Sequence, residues 1–148
     1  MLRTKRQRQT KKTVPIRIWG VAGLVLVTVV GYIAWRLLKS NTQSYPLEIT
    51  TAQAAEKRAQ GALILDVRQP SEWVQFHIPG ATLIPLGELP TRLSEVPKDG
   101  EIVVVCRTGH RSAQGRDILR KAGYTRVTSM AGGVTKWQAD GLPITTGE

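Results

Sequence analysis

Cys106 opens the run Cys106-Arg107-Thr108-Gly109-His110-Arg111-Ser112, and it is the only cysteine in the chain. A thiolate is a strong nucleophile, and arginines on either side favour the ionised form and attract anions. The run follows Ile102-Val103-Val104-Val105, a β-branched stretch of the kind that forms a buried parallel strand. After it, Ile118, Leu119 and Ala122 recur at helical spacing, and Gly123 is placed to end that helix. The cysteine is therefore expected in a strand-loop-helix turn at the carboxyl end of its strand, where open α/β sheets place their ligand crevices. The first amides of a helix lack intrahelical partners and carry partial positive charge. With Arg107, Arg111 and the close-folding Gly109 they predict a nest that holds a thiolate and receives an oxyanion.

Other segments must position this loop. Thr50 or Thr51 is expected to cap a helix through Ala59, stopped by Gly61. Leu63 to Val67 reads as a buried strand, and Ser71 as the cap of a short helix holding Glu72, Trp73 and Val74. A loop at His77 to Ala81 leads to a strand over Thr82 to Leu86, in which Pro85 must avoid a ladder position. A short helix over Glu88 to Glu95, a strand over Arg126 to Met130 and a last helix carrying Trp137 complete the pattern. Strands alternating with helices predict a parallel sheet covered on both faces. Asp66 and Arg68 fall on the same rim as Cys106, with an expected structural role: holding the loop or pairing with Glu72. His77 reads as a satisfied turn residue, and Trp73 and Trp137 as core anchors. His110 has two readings of equal weight, shaping the pocket mouth or standing in an exposed loop.

The formal net charge of +10 is unevenly placed. Residues 1–39 carry nine Lys or Arg and no acid, whereas the remainder is close to neutral. Ile18 to Trp35 is 18 residues without a charge, flanked by Arg17 and Arg36, with Trp19, Tyr32 and Trp35 near its ends. About 20 apolar residues span a bilayer, and aromatics and snorkelling arginines mark its boundaries. The resulting plan is a basic tail (1–15), a transmembrane helix (16–38), a linker (39–46) and a domain (47–148). A cleaved signal peptide would have a shorter apolar region and a small-x-small site, where this chain has Tyr32-Ile33-Ala34. The positive-inside rule leaves the amino terminus in the cytoplasm and the domain outside it, as a single-pass membrane protein. The basic run is thus read as topogenic, and no nucleic-acid partner is expected. One cysteine and two histidines offer no disulfide framework and little material for a metal site; no metal or cofactor is expected.

Four blocks, taken together, resemble the single-domain rhodaneses of the sulfurtransferase family. They are Asp66-Val67-Arg68 with Glu72-Trp73, His77-Ile78-Pro79-Gly80-Ala81, the Cys106 loop, and Ala131-Gly132-Gly133 with Trp137 and Gly141-Leu142-Pro143. The resemblance covers roughly residues 47 to 146 and implies an α/β rhodanese-like fold, a parallel five-stranded sheet with helices on both faces. It further implies that Cys106 takes a sulfane sulfur from a small anion such as thiosulfate, as a persulfide, and passes it to a thiol or other thiophilic acceptor. Arg107, Arg111 and the loop amides would then stabilise the departing sulfite. Thr108 and Ser112 would donate hydroxyl hydrogen bonds to the persulfide or to loop carbonyls. One departure is Phe76, where the family pattern commonly has glycine; a bulky residue resists a positive φ, so this turn is expected to be built differently.

Loop length argues against phosphatase chemistry. Cysteine-dependent phosphatases resemble Cys-x-x-x-x-x-Arg, whereas here the sixth position after the cysteine is Ser112 and the arginine comes one residue earlier. The shorter loop suits a sulfur atom better than a tetrahedral phosphate. Two rivals to the sulfurtransferase are a tethered, non-catalytic rhodanese-fold binding module and a tethered thiol-redox protein whose exposed thiolate forms mixed disulfides.

Overall fold

A computed structural model describes residues 27–36 and 45–147. The chain divides after Gln43 into two units. In the first, residues 27–36 are helical. Among the described residues no helix is long and apolar enough to cross a membrane. The expected span 16–38 lies for more than half its length outside the described residues, as does the basic tail.

The second unit is a five-stranded, all-parallel sheet in the order β1-β5-β4-β2-β3. Its strands are β1 (Glu48–Ile49), β2 (Leu63–Asp66), β3 (Thr82–Leu83), β4 (Ile102–Val105) and β5 (Val127–Met130). Three helices lie between strands, α1 (Thr51–Ala59), α2 (Pro70–Trp73) and α3 (His110–Lys121), and α4 (Gly133–Ala139) follows β5. All four residues of the central strand β4 are buried. Their period-2 alternation feeds two separate cores. Ile102, Val104 and Cys106 pack with Leu65, Val67, Leu119 and Val127 on one face, while Val103 and Val105 pack with Ile64, Met130, Val134 and Trp137 on the other. This parallel sheet with a core on each face is the architecture the strand-helix alternation predicts.

Local chemistry fixes the helix ends. Thr50 and Gln53 form a capping box at α1, with Gln53 N–H donating to Thr50 Oγ1 at 3.3 Å and Thr50 N–H to Gln53 Oε1 at 2.9 Å. At α2 the cap is Gln69, with Pro70 at the first turn, and not Ser71 as expected. Proline has no amide to lose there, and Gln69 N–H is taken by the Glu72 carboxylate at 3.1 Å. Gly115 of α3 faces the sheet so closely that a Cβ would come within 3.1 Å of Val104 Cγ1 and 3.3 Å of Val67 Cγ1.

Other segments depart from the sequence pattern. The strand expected over Thr82 to Leu86 pairs only at Thr82–Leu83. Pro85 cannot donate to a ladder, although Ile84 and Leu86 still bond Asp66 O and Val67 O at 3.0 and 3.1 Å. The helix expected over Glu88 to Glu95 is instead two 3-10 turns, Leu89–Thr91 and Leu93–Glu95. Pro90 interrupts the amide series there, and Arg92 ties the turns together through Glu88 and Glu95. The edge strand β1 is two residues long, below the length at which periodicity can be read. Phe76 keeps a negative φ, as every non-glycine residue described does, and its turn is held by Arg68 Nη2 donating to Phe76 O at 2.9 Å.

Candidate active site

Strand β4 delivers Cys106 to the carboxyl rim, and α3 begins four residues later. Gly109 makes that short turn possible. It adopts φ 109° as the residue preceding α3, a conformation that side chains resist. Its N–H points back at Cys106 Sγ, 3.1 Å away. Ser112, in the first turn of α3, lies 3.7 Å from the same sulfur and donates its hydroxyl to Gly109 O at 2.7 Å. The sulfur thus sits against a backbone donor at a helix start.

Helix α4 shapes the loop from the other side. Its leading amides, otherwise without partners, donate to the loop: Val134 N–H to Cys106 O at 2.8 Å and Thr135 N–H to Arg107 O at 3.1 Å. A trans peptide is planar, with N–H and C=O opposed, and the described chain has no cis bonds. Fixing these two carbonyls toward α4 therefore turns the N–H groups of Arg107 and Thr108 the opposite way. Gly133 permits the approach. A Cβ there would lie 2.3 Å from Cys106 O and 2.4 Å from Arg107 O.

The charged residues sort into pairs. Arg68 and Asp66 are both buried and joined by several bonds, among them Nη2 to Oδ2 at 2.7 Å. Arg68 further donates to the backbone carbonyls of Glu72 and Phe76. The carboxylate of Glu72 goes elsewhere, accepting two 2.7 Å bonds from Arg111. That bidentate contact holds the Glu72 carboxyl at about 2 against an ordinary 4.5, burial opposing it, and raises Arg111 in turn. Of the two roles expected for Asp66 and Arg68, pairing of Arg68 with the Glu72 side chain is not formed: Arg68 pairs with Asp66, two residues away, while Glu72 secures the loop at Arg111.

Thr108 and His110 are exposed, the His110 ring lying 3.5 Å from Gln114. Arg107 is exposed as well, and no carboxylate pairs with it among the described residues. Cys106 itself is only 1% exposed, less open than an exposed thiolate would be. His77 is buried, stacks on Trp73 at 3.6 Å and contacts Trp73 O through Nδ1. Sequence reasoning missed Gly133 as a contact to the loop. Only its place in a Gly-Gly pair before a helix signalled a special backbone there.

Comparison with known proteins agrees with this geometry. The model of the rhodanese-like domain family matches residues 50–140, and the chain belongs to that family. It is 39% identical over 103 residues to a protein of Allochromatium vinosum named a sulfurtransferase, covering 68% of this chain and 96% of that one. It is 40% identical over 70 residues to the thiosulfate sulfurtransferase PspE of Escherichia coli, covering 46% and 67% respectively. The crystal structure of a rhodanese-related protein from Thermoplasma volcanium superposes with a TM-score of 0.63 at 28% identity, covering 68% of this chain and 98% of that one.

The Glu72–Arg111 pair has a pH signature. Its contribution is complete above about 4.5, declines as pH falls, and is gone below about 2, because the folded carboxyl titrates lower than the unfolded one. Glu72→Gln should cost about 1 kcal/mol at neutral pH, and the difference in urea midpoint from wild type should shrink as pH approaches about 2.5. A difference that does not vary with pH would contradict the pairing. Gly133→Ala should lose about 2–4 kcal/mol through overpacking at a positive-φ position; wild-type stability in a denaturant titration would show that the loop and α4 do not meet as described.

Proposed function

We propose that the chain is a membrane-anchored sulfurtransferase in which Cys106 carries the sulfur. The observation that supports it most directly is the Gly109 N–H aimed at Cys106 Sγ at 3.1 Å, in a loop that opens a helix. The thiolate attacks the outer sulfur of a donor anion such as thiosulfate. A new S–S bond forms on Cys106, the donor S–S bond breaks, and its electron pair leaves with sulfite. The loop amides and Arg107, whose charge no carboxylate answers, stabilise the departing anion. Arg111 contributes through a guanidinium shared with Glu72. A thiophilic acceptor then attacks the outer sulfur of the persulfide and returns Cys106 to thiolate. The names of the relatives agree with sulfur transfer in general.

The proposed anchor rests on the 18 uncharged residues from Ile18 to Trp35 and their flanking arginines. The excess of basic residues before them favours a cytoplasmic amino terminus and an extracytoplasmic domain.

One observation favours a second reading. Cys106 packs in the core with 1% exposure, as a small apolar side chain would in a binding module without turnover.

Mass spectrometry of the intact protein after incubation with thiosulfate separates the two. The carrier gains about 32 Da, one sulfur atom, and Cys106→Ser gains nothing and loses transfer to cyanide; an unchanged wild-type mass selects the binding module. For the anchor, membranes washed at high salt should retain the protein, with the domain digested by protease added to intact cells stripped of outer layers. A washed-off protein, or a domain protected until lysis, contradicts the anchor or its orientation respectively.

A further inference from the structure

All five strands are parallel, so they begin at one pole of the domain and end at the other. Cys106 follows β4 and lies at the carboxyl pole; four strand residues alone separate it from the amino pole by about 13 Å. The chain enters the domain at that amino pole. Tyr45, the first described residue there, is held by the loops before β4 and β5. Its hydroxyl donates to the Glu101 carboxylate and accepts from Arg126 Nε at 3.0 Å. Lys57 and Arg126 stand 5.5 and 5.7 Å from the centroid of its ring, and Lys57 Nζ bonds Glu101 at 3.0 Å.

The two poles differ in charge. Around Tyr45 the amino pole collects Lys57, Lys98, Arg120, Lys121 and Arg126, five cations against the two carboxylates Asp99 and Glu101. Glu56 and Arg58 of α1, with the Arg116–Asp117 pair of α3, add equal numbers of each sign. The rest of residues 40–148 holds five Lys or Arg against seven Asp or Glu, so the excess of positive charge is confined to this pole. Lys98, Arg120 and Lys121 are exposed and form no salt bridge among the described residues. Helix carboxyl ends favour cations, which accounts for Arg120 and Lys121 at the end of α3. It does not account for Lys98 or Arg126, which lie in the loops before β4 and β5.

We propose that the basic amino pole of the domain docks on anionic lipid headgroups, so that the Cys106 rim faces away from the bilayer. This rests on the membrane-anchor reading of the amino-terminal segment. From Leu38, where the expected span ends, to Tyr45 is seven residues, at most about 25 Å of chain. A tether of that reach, entering at the basic pole, brings this pole to the headgroups before any other part of the domain. A negatively charged surface attracts a cluster of Lys and Arg within a Debye length of about 8–10 Å. The less basic remainder of the domain gains nothing from the same contact. Docked in this way, the domain presents Cys106 to water-borne donors and acceptors.

The test reconstitutes the full chain into phosphatidylcholine vesicles with or without about one third phosphatidylglycerol, carrying a quencher on the lipid headgroups. A fluorophore is attached at Thr125→Cys on the basic pole or at Ser71→Cys beyond β2 on the Cys106 side, each combined with Cys106→Ser so that it is the single thiol. Both positions are exposed. In anionic vesicles the label at position 125 should be quenched about two-fold more than the label at position 71. The difference should vanish in phosphatidylcholine alone, at about 0.5 M salt, and in Lys98→Glu/Lys121→Glu. Both lysines are exposed, so the fold should tolerate the double variant. Equal quenching of the two labels, stronger quenching at position 71, or a difference that persists without phosphatidylglycerol would overturn the docking. Flotation of the vesicles after a high-salt wash reads the anchor separately. Protein that floats with them alongside any of those results leaves the anchor standing and removes only the lipid-facing pole; protein left behind removes both.

Discussion

The loop around Cys106 depends on a backbone-to-backbone contact. Two amides at the start of α4 bond the carbonyls of Cys106 and Arg107, and the approach is close enough that only a residue without a side chain fits at Gly133. The contact satisfies groups on both partners that would otherwise be orphaned. It also orients the loop peptides, since each fixed carbonyl sends the next N–H to the opposite side. Gly109 completes the arrangement with a left-handed turn that carries its own N–H to the sulfur. The polarity of this site is thus largely made by backbone, which holds its dipoles without the entropy cost of fixing long side chains.

Side-chain charge has a different task. Of three arginines near the rim, Arg68 is committed to Asp66 and two carbonyls, and Arg111 to Glu72. Buried or half-buried guanidinium groups need such partners, because an uncompensated charge away from water is costly. Arg68 connects the end of β2 to the turn at Phe76, and Glu72 connects α2 to the start of α3. These pairs hold loops around the cysteine, and Arg107 is left as the exposed charge on the loop. The positive character of this rim therefore combines one exposed cation with fixed amides.

The burial of Cys106 sets the terms for any chemistry there. At 1% exposure the sulfur is shielded from water, and the Gly109 amide is its close backbone donor. The same packing that limits access to the sulfur also keeps water from it. Helix α3 enforces it: Gly115 lets the helix settle onto Val104 and Val67, and Leu119 fills the layer beneath.

The sequence alone was enough to place β4, the loop and the helix after it, because β-branched residues, a glycine and helical periodicity are local signals. It also located α1 by its threonine cap and put Asp66 and Arg68 on the rim of the cysteine. What it could not supply were relations between distant segments. Whether Glu72 would meet Arg68 or Arg111 is a choice among cations set by where α2 lands against α3, and no spacing rule encodes it. The meeting of Gly133 with Cys106 joins residues 27 apart, and β1 is a strand only because β5 lies beside it. Local propensity writes the elements; the carbonyl that an orphaned amide finds, and the carboxylate that a guanidinium finds, are decided when the sheet brings them within reach.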